Sequence, residues 1–186
     1  MELTAGMLFA GGGGCSEGAI TAGYKPIWAV ENNPYAAAVY RKRFPTTQLI
    51  EQDIARLTDE FIRNLYSVDI VIGGSPCPDF SLAGKRAGIE GTRGQLFFEF
   101  VRCLQIIQPP AFLWEQVSAV LSSGKGLDFI KILDAFAEVG YVGSWQVRNG
   151  KRHVPQNRER LFCVGIHRRY SGDNTKSRKE NFTGNI

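Results

Sequence analysis

The sequence predicts an α/β protein built on a doubly wound, mostly parallel, Rossmann-like sheet with helices on both faces. The first observation is that short apolar runs alternate along the chain with longer segments whose apolar residues recur at helical spacing. The second is that glycine-rich or polar turns follow most of the apolar runs. Because βαβ connections are right-handed, such alternation favours parallel strands covered by helices.

The first part of the chain holds three predicted strands. We predict strands at residues 3–9, 26–30 and 48–51, with helices between them at residues 16–22 and 34–44. The first helix follows a turn of glycines at residues 11–14. The second helix begins with Pro34, which suits a first helical turn because no backbone donor is needed there.

The remaining elements continue the same alternation. We predict helices at residues 58–65, 95–107 and 127–139, strands at 69–72, 111–114, 141–147 and 161–166, and a long glycine-rich loop at 73–94. In the helix at 95–107, Leu96, Phe97 and Phe100 share one face, and the helix stops before Pro109. The helix at 127–139 repeats this spacing and ends at Gly140.

Length and composition indicate one domain. The chain has 186 residues, of which 44% are hydrophobic and 22% are charged, as in ordinary globular proteins. No apolar run is long enough for a membrane span, and the first residues lack the basic region of a signal peptide, so we expect an intracellular protein. We predict a cofactor-binding catalytic domain at residues 1–166. Residues 167–186 carry five basic and two acidic residues, and we predict a flexible basic tail that either touches phosphates or is simply solvated.

The cysteines do not indicate a metal site. Cys15, Cys77, Cys103 and Cys163 lack the close spacing of zinc ligands, and the chain has two histidines. Cys103 falls in a helical pattern and Cys163 in a strand pattern, so we expect both to be small core residues.

Several polar residues fall at predicted carboxyl ends of strands, where α/β sheets bind ligands. Glu31 follows the second strand, about 20 residues after the glycine turn, and a carboxylate there can accept both ribose hydroxyls. Asp53 follows the third strand and could accept a hydrogen bond from an adenine amino group, with Ile54 covering the purine. Each acid alone also fits an ordinary loop. Because no phosphate-binding lysine loop is present, the pair favours S-adenosylmethionine over a nucleotide polyphosphate.

The reacting residues are predicted at the next two strand ends. Cys77 lies in a stiff turn between Pro76 and Pro78, which also suits an inert cysteine, and Glu115 follows the neighbouring strand. A thiolate can add to C6 of cytosine and make C5 nucleophilic, while an acid at N3 stabilises the developing charge. Arg158 and Arg160 alternate on an extended segment, where they could lower the thiol pKa or brace a flipped nucleotide, or simply form a solvated charge run.

Together these residues resemble the cytosine-5 DNA methyltransferase family. The matching segments keep the order and spacing of that family: Phe9-Ala10-Gly11-x-Gly13-Gly14, Glu31, Asp53-Ile54, Gly74-Ser75-Pro76-Cys77, Arg93-Gly94-x-Leu96-Phe97, Glu115-x-Val117 and Pro155-Gln156-x-Arg158-x-Arg160. The resemblance implies an S-adenosylmethionine-dependent methyltransferase fold, a flipped target base, and a setting in the cytoplasm of a prokaryotic or phage-infected cell, in restriction–modification.

The resemblance also implies roles for individual residues. Cys77 would be the nucleophile, Glu115 would hold N3 and the 4-amino group, and Arg158 and Arg160 would support the site. The cofactor pocket would be lined by Phe9, Ala10, Gly11, Gly13, Gly14, Glu31, Asn32, Asp53, Ile54 and Leu96. The loop at 78–94 would close over DNA, with contacts from Ser81, Lys85, Arg86 and Arg93.

Three positions depart from the family pattern, and one large region is missing. Met7, Pro78 and Gln116 stand where the family usually has an acid, a glutamine and an asparagine. The family continues into a target-recognition region and a C-terminal return to the catalytic domain, which these residues lack. The sequence therefore predicts the catalytic part of a DNA methyltransferase, with a second polypeptide supplying recognition. The alternatives are an inactive cofactor-binding relic and an RNA cytosine methyltransferase.

Overall fold

The computed structural model describes residues 2–76, 95–172 and 181–185. The strands are β1 Leu3–Leu8, β2 Tyr24–Val30, β3 Gln48–Ile50, β4 Ile70–Gly73, β5 Ala111–Val117, β6 Tyr141–Asn149, β7 Glu159–His167 and β8 Phe182–Asn185. The helices are α1 Gly14–Thr21, α2 Pro34–Arg43, α3 Asp59–Arg63, α4 Gln95–Ile107, α5 Leu127–Glu138 and α6 Arg168–Ser171. Short 3₁₀ segments occur at Ile54–Arg56, Ser118–Gly126 and Gly150–Arg152.

These strands form one sheet with the order β3-β2-β1-β4-β5-β7-β6-β8. β1 pairs in parallel with β2 and β4, and the parallel pairing continues to β3 on one side and β5 on the other. β7 pairs antiparallel with both β5 and β6, whereas β8 is parallel to β6. The prediction of a doubly wound, mostly parallel sheet is confirmed, and among the described strands β7 alone runs the other way.

Two apolar layers cover the sheet. On one face, aromatic side chains from α4, α5 and the sheet pack edge to face, with the rings of Phe97 and Trp114 5.3 Å apart and those of Phe97 and Phe136 also 5.3 Å apart. On the other face, Met7 and Ala29 of the sheet pack with Tyr40 of α2. Burial of this kind is the main stabilising term of such a domain, and truncating one of these rings to alanine typically costs about 3–5 kcal/mol.

The sheet directions determine where a site can form. β1, β2, β4 and β5 end at the same edge of the sheet, and β7 begins there because it runs in the opposite direction. The predicted strand at residues 111–114 extends to Val117, so Glu115 lies within β5 and is paired opposite Phe162 of β7. The pairing with β7 holds these extra residues in the sheet.

The C-terminal segment differs from the predicted flexible tail. After His167 the chain forms α6, and residues 182–185 add β8 to the edge of the sheet beside β6. The Phe182 ring packs 6.0 Å from that of Phe136 and 6.4 Å from that of Phe112, which attaches this strand to the core. Gly184 and Asn185 are poor strand formers, which is why the pattern did not indicate a strand there.

No helix in the described part of the chain has both the length and the apolar character needed to cross a membrane.

Candidate active site

The glycine turn after β1 is tightly folded. Gly13 has φ of 91°, and a Cβ added there would lie 2.1 Å from the Phe44 ring, so only glycine fits without a shift. The amide of Gly13 donates to the carbonyl of Ala10 at 3.0 Å, and the amide of Ala10 donates to Val30 of β2 at 3.0 Å. The turn therefore presents backbone at the end of β1 instead of side chains.

Glu31 connects this turn to the loop after β2. Its side chain is buried, with Oε2 accepting from the Gly11 amide at 2.7 Å and Oε1 accepting from the Asn33 amide at 2.8 Å. Each carboxylate oxygen can accept a further hydrogen bond, so the group can hold two hydroxyls while it keeps its backbone partners. Asn32, between the two anchored residues, is exposed at the same loop.

Asp53 and Ile54 follow β3, the neighbour of β2. The Asp53 Oδ1 accepts from the amide of Ala55 at 3.0 Å and so caps the 3₁₀ turn Ile54–Arg56. Ile54 is buried in the core cluster, against which Phe9 and Leu96 also pack. The predicted cofactor residues thus border the ends of β1, β2 and β3 and the first turn of α4.

The segment after β4 lies against Glu115. A Cβ added at Gly74 would lie 2.6 Å from the Glu115 Oε2, so the backbone at residue 74 is in close contact with the carboxylate. Any larger residue at position 74 would displace that carboxylate. The chain leading toward position 77 therefore passes directly beside the predicted acid.

A buried polar network holds the same segment. The Trp114 Nε1 donates to the Ser75 Oγ at 3.2 Å, and the Gln116 Nε2 donates to the Ser75 carbonyl at 3.1 Å. The Gln116 Oε1 also accepts from the Val117 amide at 2.8 Å. The longer amide at position 116, unusual for the resembled family, thus bridges β5 to the turn after β4 and satisfies buried polar groups on both.

Arg160 forms an ion pair with Glu115. The Arg160 Nε lies 2.9 Å from the Glu115 Oε1, and both side chains are about a quarter exposed, at 22% and 25%. Val117 is paired with Arg160 and Glu115 with Phe162, so Arg160 and Glu115 project from the same face on neighbouring strands. The structure brings these two predicted residues together.

Arg158 lies in a different environment. It is exposed, its carbonyl accepts from the Gly150 amide at 2.9 Å, and its own amide contacts the Asn149 Oδ1 at 3.3 Å. These contacts close the connector between β6 and β7, which lies at the same edge of the sheet as Glu115.

Cys15 is an exposed residue next to the glycine turn. The pKa of the Cys15 thiol is raised, first because neighbouring groups remove water from the sulfur and second because the Glu115 carboxylate is nearby. Cys15 lies in the first turn of α1, directly after the glycine turn. Because β1 and β4 are neighbouring parallel strands, the glycine turn and the segment after β4 lie side by side at one edge of the sheet.

Five predicted site residues lie outside the described residues: Cys77, Ser81, Lys85, Arg86 and Arg93. Their roles remain predictions. Within the described ranges, no group of three or more histidine, cysteine, aspartate or glutamate side chains is placed to hold a metal ion.

Two arginines at the site have no counterpart in the predictions. The Arg43 Nη1 donates to the Gly12 carbonyl in the glycine turn at 2.7 Å. Arg102 of α4 donates to the carbonyls of Ile54 and Leu57 at 3.0 and 3.1 Å. The two backbone carbonyls that Arg102 binds lie more than 40 residues away in sequence, so the helical pattern around Arg102 carried no signal of these contacts.

The chain matches the sequence profile of the family described as C-5 cytosine-specific DNA methylase over residues 3–185. It is 39% identical over 179 residues to the type II methyltransferase M.AquIA of Picosynechococcus sp., covering 89% of this chain and 72% of that protein. It is 37% identical over 171 residues to the type II methyltransferase M1.HphI of Haemophilus parahaemolyticus, covering 89% of this chain and 46% of that protein.

Solved structures show the same fold. A prophage-encoded protein from E. coli, described as a DNA modification methyltransferase, superimposes with a TM-score of 0.76 at 27% identity, covering 93% of this chain and 49% of that one. A DNMT2 variant of Spodoptera frugiperda superimposes with a TM-score of 0.71 at 24% identity, over 99% of this chain and 55% of that one. The chain thus spans about half the length of several of the proteins it matches.

Proposed function

Because the chain belongs to the C-5 cytosine-specific DNA methylase family, we propose that it forms the catalytic, cofactor-binding part of an enzyme that methylates C5 of cytosine in DNA. The observation that carries the proposal is the contact of the Gly74 backbone and Arg160 with Glu115, at the edge of the sheet where the glycine turn also lies. This places an acid beside the turn that leads to Cys77.

The residues present fit S-adenosylmethionine. Glu31 offers a buried carboxylate for the ribose hydroxyls, Asp53 an acceptor for the adenine amino group, and the glycine turn a close approach of backbone. When bound, the cofactor supplies an activated methyl group. Glu31 is already held by two backbone amides, so its orientation does not have to be established on binding.

The chemistry assigns distinct tasks to Cys77 and Glu115. Addition of the Cys77 thiolate to C6 of a flipped cytosine forms a carbon–sulfur bond and moves an electron pair of the ring toward C5 and N3. Glu115 accepts from the 4-amino group and, when protonated, donates its proton to N3 as charge develops. Arg160 holds the Glu115 carboxyl in place. After methylation, the C5 proton passes to water, the N3 proton returns to Glu115 and the thiolate is expelled, which restores the aromatic ring.

Calorimetry tests the cofactor pocket. The purified chain should bind S-adenosylmethionine, and Glu31→Gln should weaken binding by about 10-fold or more because charge-assisted hydrogen bonds to the ribose are lost. Glu60→Gln, an exposed carboxylate at the start of α3, is the matched control and should bind like the wild type. A flat titration of the wild type at millimolar ligand would refute the pocket.

Covalent trapping on DNA containing 5-fluorocytosine tests the nucleophile. Fluorine cannot leave as the C5 proton does, so the adduct should persist in the wild type and be absent in Cys77→Ser. Cys15→Ser is an informative control because that cysteine directly follows the glycine turn, at the same edge of the sheet as Glu115. Trapping that survives in Cys77→Ser but disappears in Cys15→Ser would transfer the nucleophilic role to Cys15.

We further propose that a region outside these 186 residues, supplied by a second polypeptide, selects the DNA site. The chain spans 46% of M1.HphI, so that relative contains much sequence without a counterpart here. Methyl transfer from tritiated cofactor should then be site-specific only when the recognition partner is added. Site-specific methylation by the isolated chain would refute the proposal that a second polypeptide selects the DNA site. Methyl transfer to tRNA instead of DNA would identify RNA as the substrate.

A further inference from the structure

Among the residues that the structure describes near the proposed cofactor pocket, Arg102 is the charged side chain with the most hydrogen bonds that the proposed chemistry leaves unused. Its Nε lies 2.8 Å from the Glu99 Oε2 and its Nη1 lies 2.6 Å from the Asp59 Oδ1. Its Nη2 donates to two backbone carbonyls, those of Ile54 at 3.0 Å and Leu57 at 3.1 Å. The side chain is 24% exposed, so it is largely shielded from water.

These contacts join three separate segments. Glu99 lies on α4 with Arg102, Asp59 opens α3, and the two carbonyls belong to the chain around the 3₁₀ turn Ile54–Arg56. Asp53 caps that same turn through its Oδ1, so the position of its carboxylate depends on where the turn lies. Leu96 of the proposed pocket lies on α4, less than two helical turns before Arg102.

Arginine is suited to this task for a physical reason. Its planar guanidinium presents several donors in a fixed fork, so one side chain can satisfy two carboxylates and two carbonyls at once. A lysine at this position would supply the charge but could not bind all four of these acceptors at the same time. A shift of the Ile54–Arg56 turn by a fraction of an ångström would misalign the acceptor that Asp53 offers, while leaving the ribose contacts of Glu31 in place.

We propose that Arg102 is a positioning residue for adenine recognition: it fixes the turn that carries Asp53 and thereby sets the preference of the pocket for the purine 6-amino group. The inference rests on the proposed cofactor site. It concerns selectivity between purines and is distinct from overall affinity or stability. The role is exerted through Asp53, since Arg102 itself points to protein groups.

The experiment compares two ligands that differ at one position of the base. S-adenosylhomocysteine carries a 6-amino group, whereas S-inosylhomocysteine carries an oxo group that Asp53 cannot accept from. By calorimetry on the full chain, the wild type should prefer the adenosyl ligand by about 10-fold or more, the loss expected when a carboxylate faces an oxygen. Arg102→Gln should reduce that ratio at least about threefold, and Asp53→Asn should reduce it at least as far.

Matched variants separate positioning from stability. Arg56→Gln removes an equal charge from the same 3₁₀ turn and should keep the wild-type ratio. In the double variant with Asp53→Asn, Arg102→Gln should change the ratio no further, because the two act on one contact. Thermal melting identifies a temperature at which each variant is folded. Arg102→Lys, which keeps the charge, carries the comparison if Arg102→Gln does not fold.

The outcomes are distinguishable. Wild-type protein that binds neither ligand would overturn both the proposed function and this inference. Arg102 variants that weaken the two ligands equally, or that melt at a lower temperature with an unchanged ratio, would overturn this inference alone and leave the cofactor site standing. If neither Arg102 variant folds, the residue serves stability and the inference is likewise overturned. A reduced ratio in both variants, with Arg56→Gln unchanged, supports it.

Discussion

At the scale of single residues, Glu115 is constrained from two sides. The Gly74 backbone leaves no room for a side chain beside its Oε2, and Arg160 binds its Oε1 at 2.9 Å. A carboxylate held in this way keeps one orientation, which is what a group acting on one edge of a base requires. Neither constraint involves a residue adjacent to Glu115 in sequence.

This constraint predicts a specific effect of Glu115→Gln. The change keeps the shape of the side chain but removes the proton that the proposed step donates to N3 of the base, so methyl transfer should fall by about 100-fold or more. Binding of S-adenosylmethionine should stay within about twofold, because Glu31 and Asp53 are untouched. Tritium transfer to DNA and calorimetry measure the two quantities. Glu159→Gln, an exposed carboxylate next to Arg160, is the control, and equal losses in both variants would argue against a chemical role for Glu115.

At the scale of elements, the turn after β4 depends on β5. Ser75 has its carbonyl and hydroxyl bound by Gln116 and Trp114, which lie about 40 residues later in the chain. The turn is therefore positioned by long-range contacts, and Pro76 adds local stiffness.

Removing the Gln116 amide should destabilise this turn. Gln116→Ala leaves the buried Ser75 carbonyl without its donor, and the expected loss in the free energy of unfolding is about 1–3 kcal/mol. Urea denaturation measures the change. Gln146→Ala, on an exposed position of β6, should stay within about 0.5 kcal/mol of the wild type, and a similar cost at both positions would mean that the network contributes little.

The glycine turn provides a second comparison at this scale, between neighbouring positions. Gly13→Ala should cost about 2 kcal/mol or more, because the residue has φ of 91° and the new methyl group meets the Phe44 ring. Gly14→Ala opens α1 with nothing within 4 Å of the added Cβ, so its stability should stay within about 1 kcal/mol of the wild type. Thermal melting of the two variants measures this difference. Equal melting temperatures would contradict the steric contact between a Cβ at position 13 and the Phe44 ring.

At the scale of the whole molecule, the fold was more predictable from the sequence than the long-range side-chain contacts around the proposed site. Alternating apolar runs located β1 to β7, and the rule that ligands bind at strand ends brought Glu31, Asp53 and Glu115 to one edge. Periodicity carries no information on strand direction, so the antiparallel placement of β7 was not predicted. The side chains that bind Ser75 and the backbone carbonyls that bind Arg102 lie about 40 residues or more away in sequence, where a local pattern carries no information.

The stability of the whole domain should depend on pH through His167. Its Nδ1 accepts from the Arg169 amide at the start of α6, and its pKa is lowered from 6.5, first by partial burial and second by Arg169. Because the folded-state pKa lies below that of the unfolded chain, the unfolded chain binds the proton first as pH falls. The free energy of unfolding should therefore decrease from pH 6.5 downward until pH passes the folded-state value.

Denaturation curves between about pH 8 and about pH 5 test this dependence. In His167→Asn an amide oxygen can cap α6 without titrating, so the decrease below pH 6.5 should be smaller than in the wild type. An unchanged pH profile in that variant would assign the effect to other groups.

The reversed direction of β7 has an evolutionary consequence. Since β6 ends and β7 begins at the edge that carries Glu115, the connector at residues 150–158 lies at that same edge. An insertion there would add residues beside Glu115. It would not interrupt a crossover helix or the paired strands. The antiparallel strand β7 thus provides a loop at this edge in which evolution can add residues while the sheet and the residues on it stay unchanged.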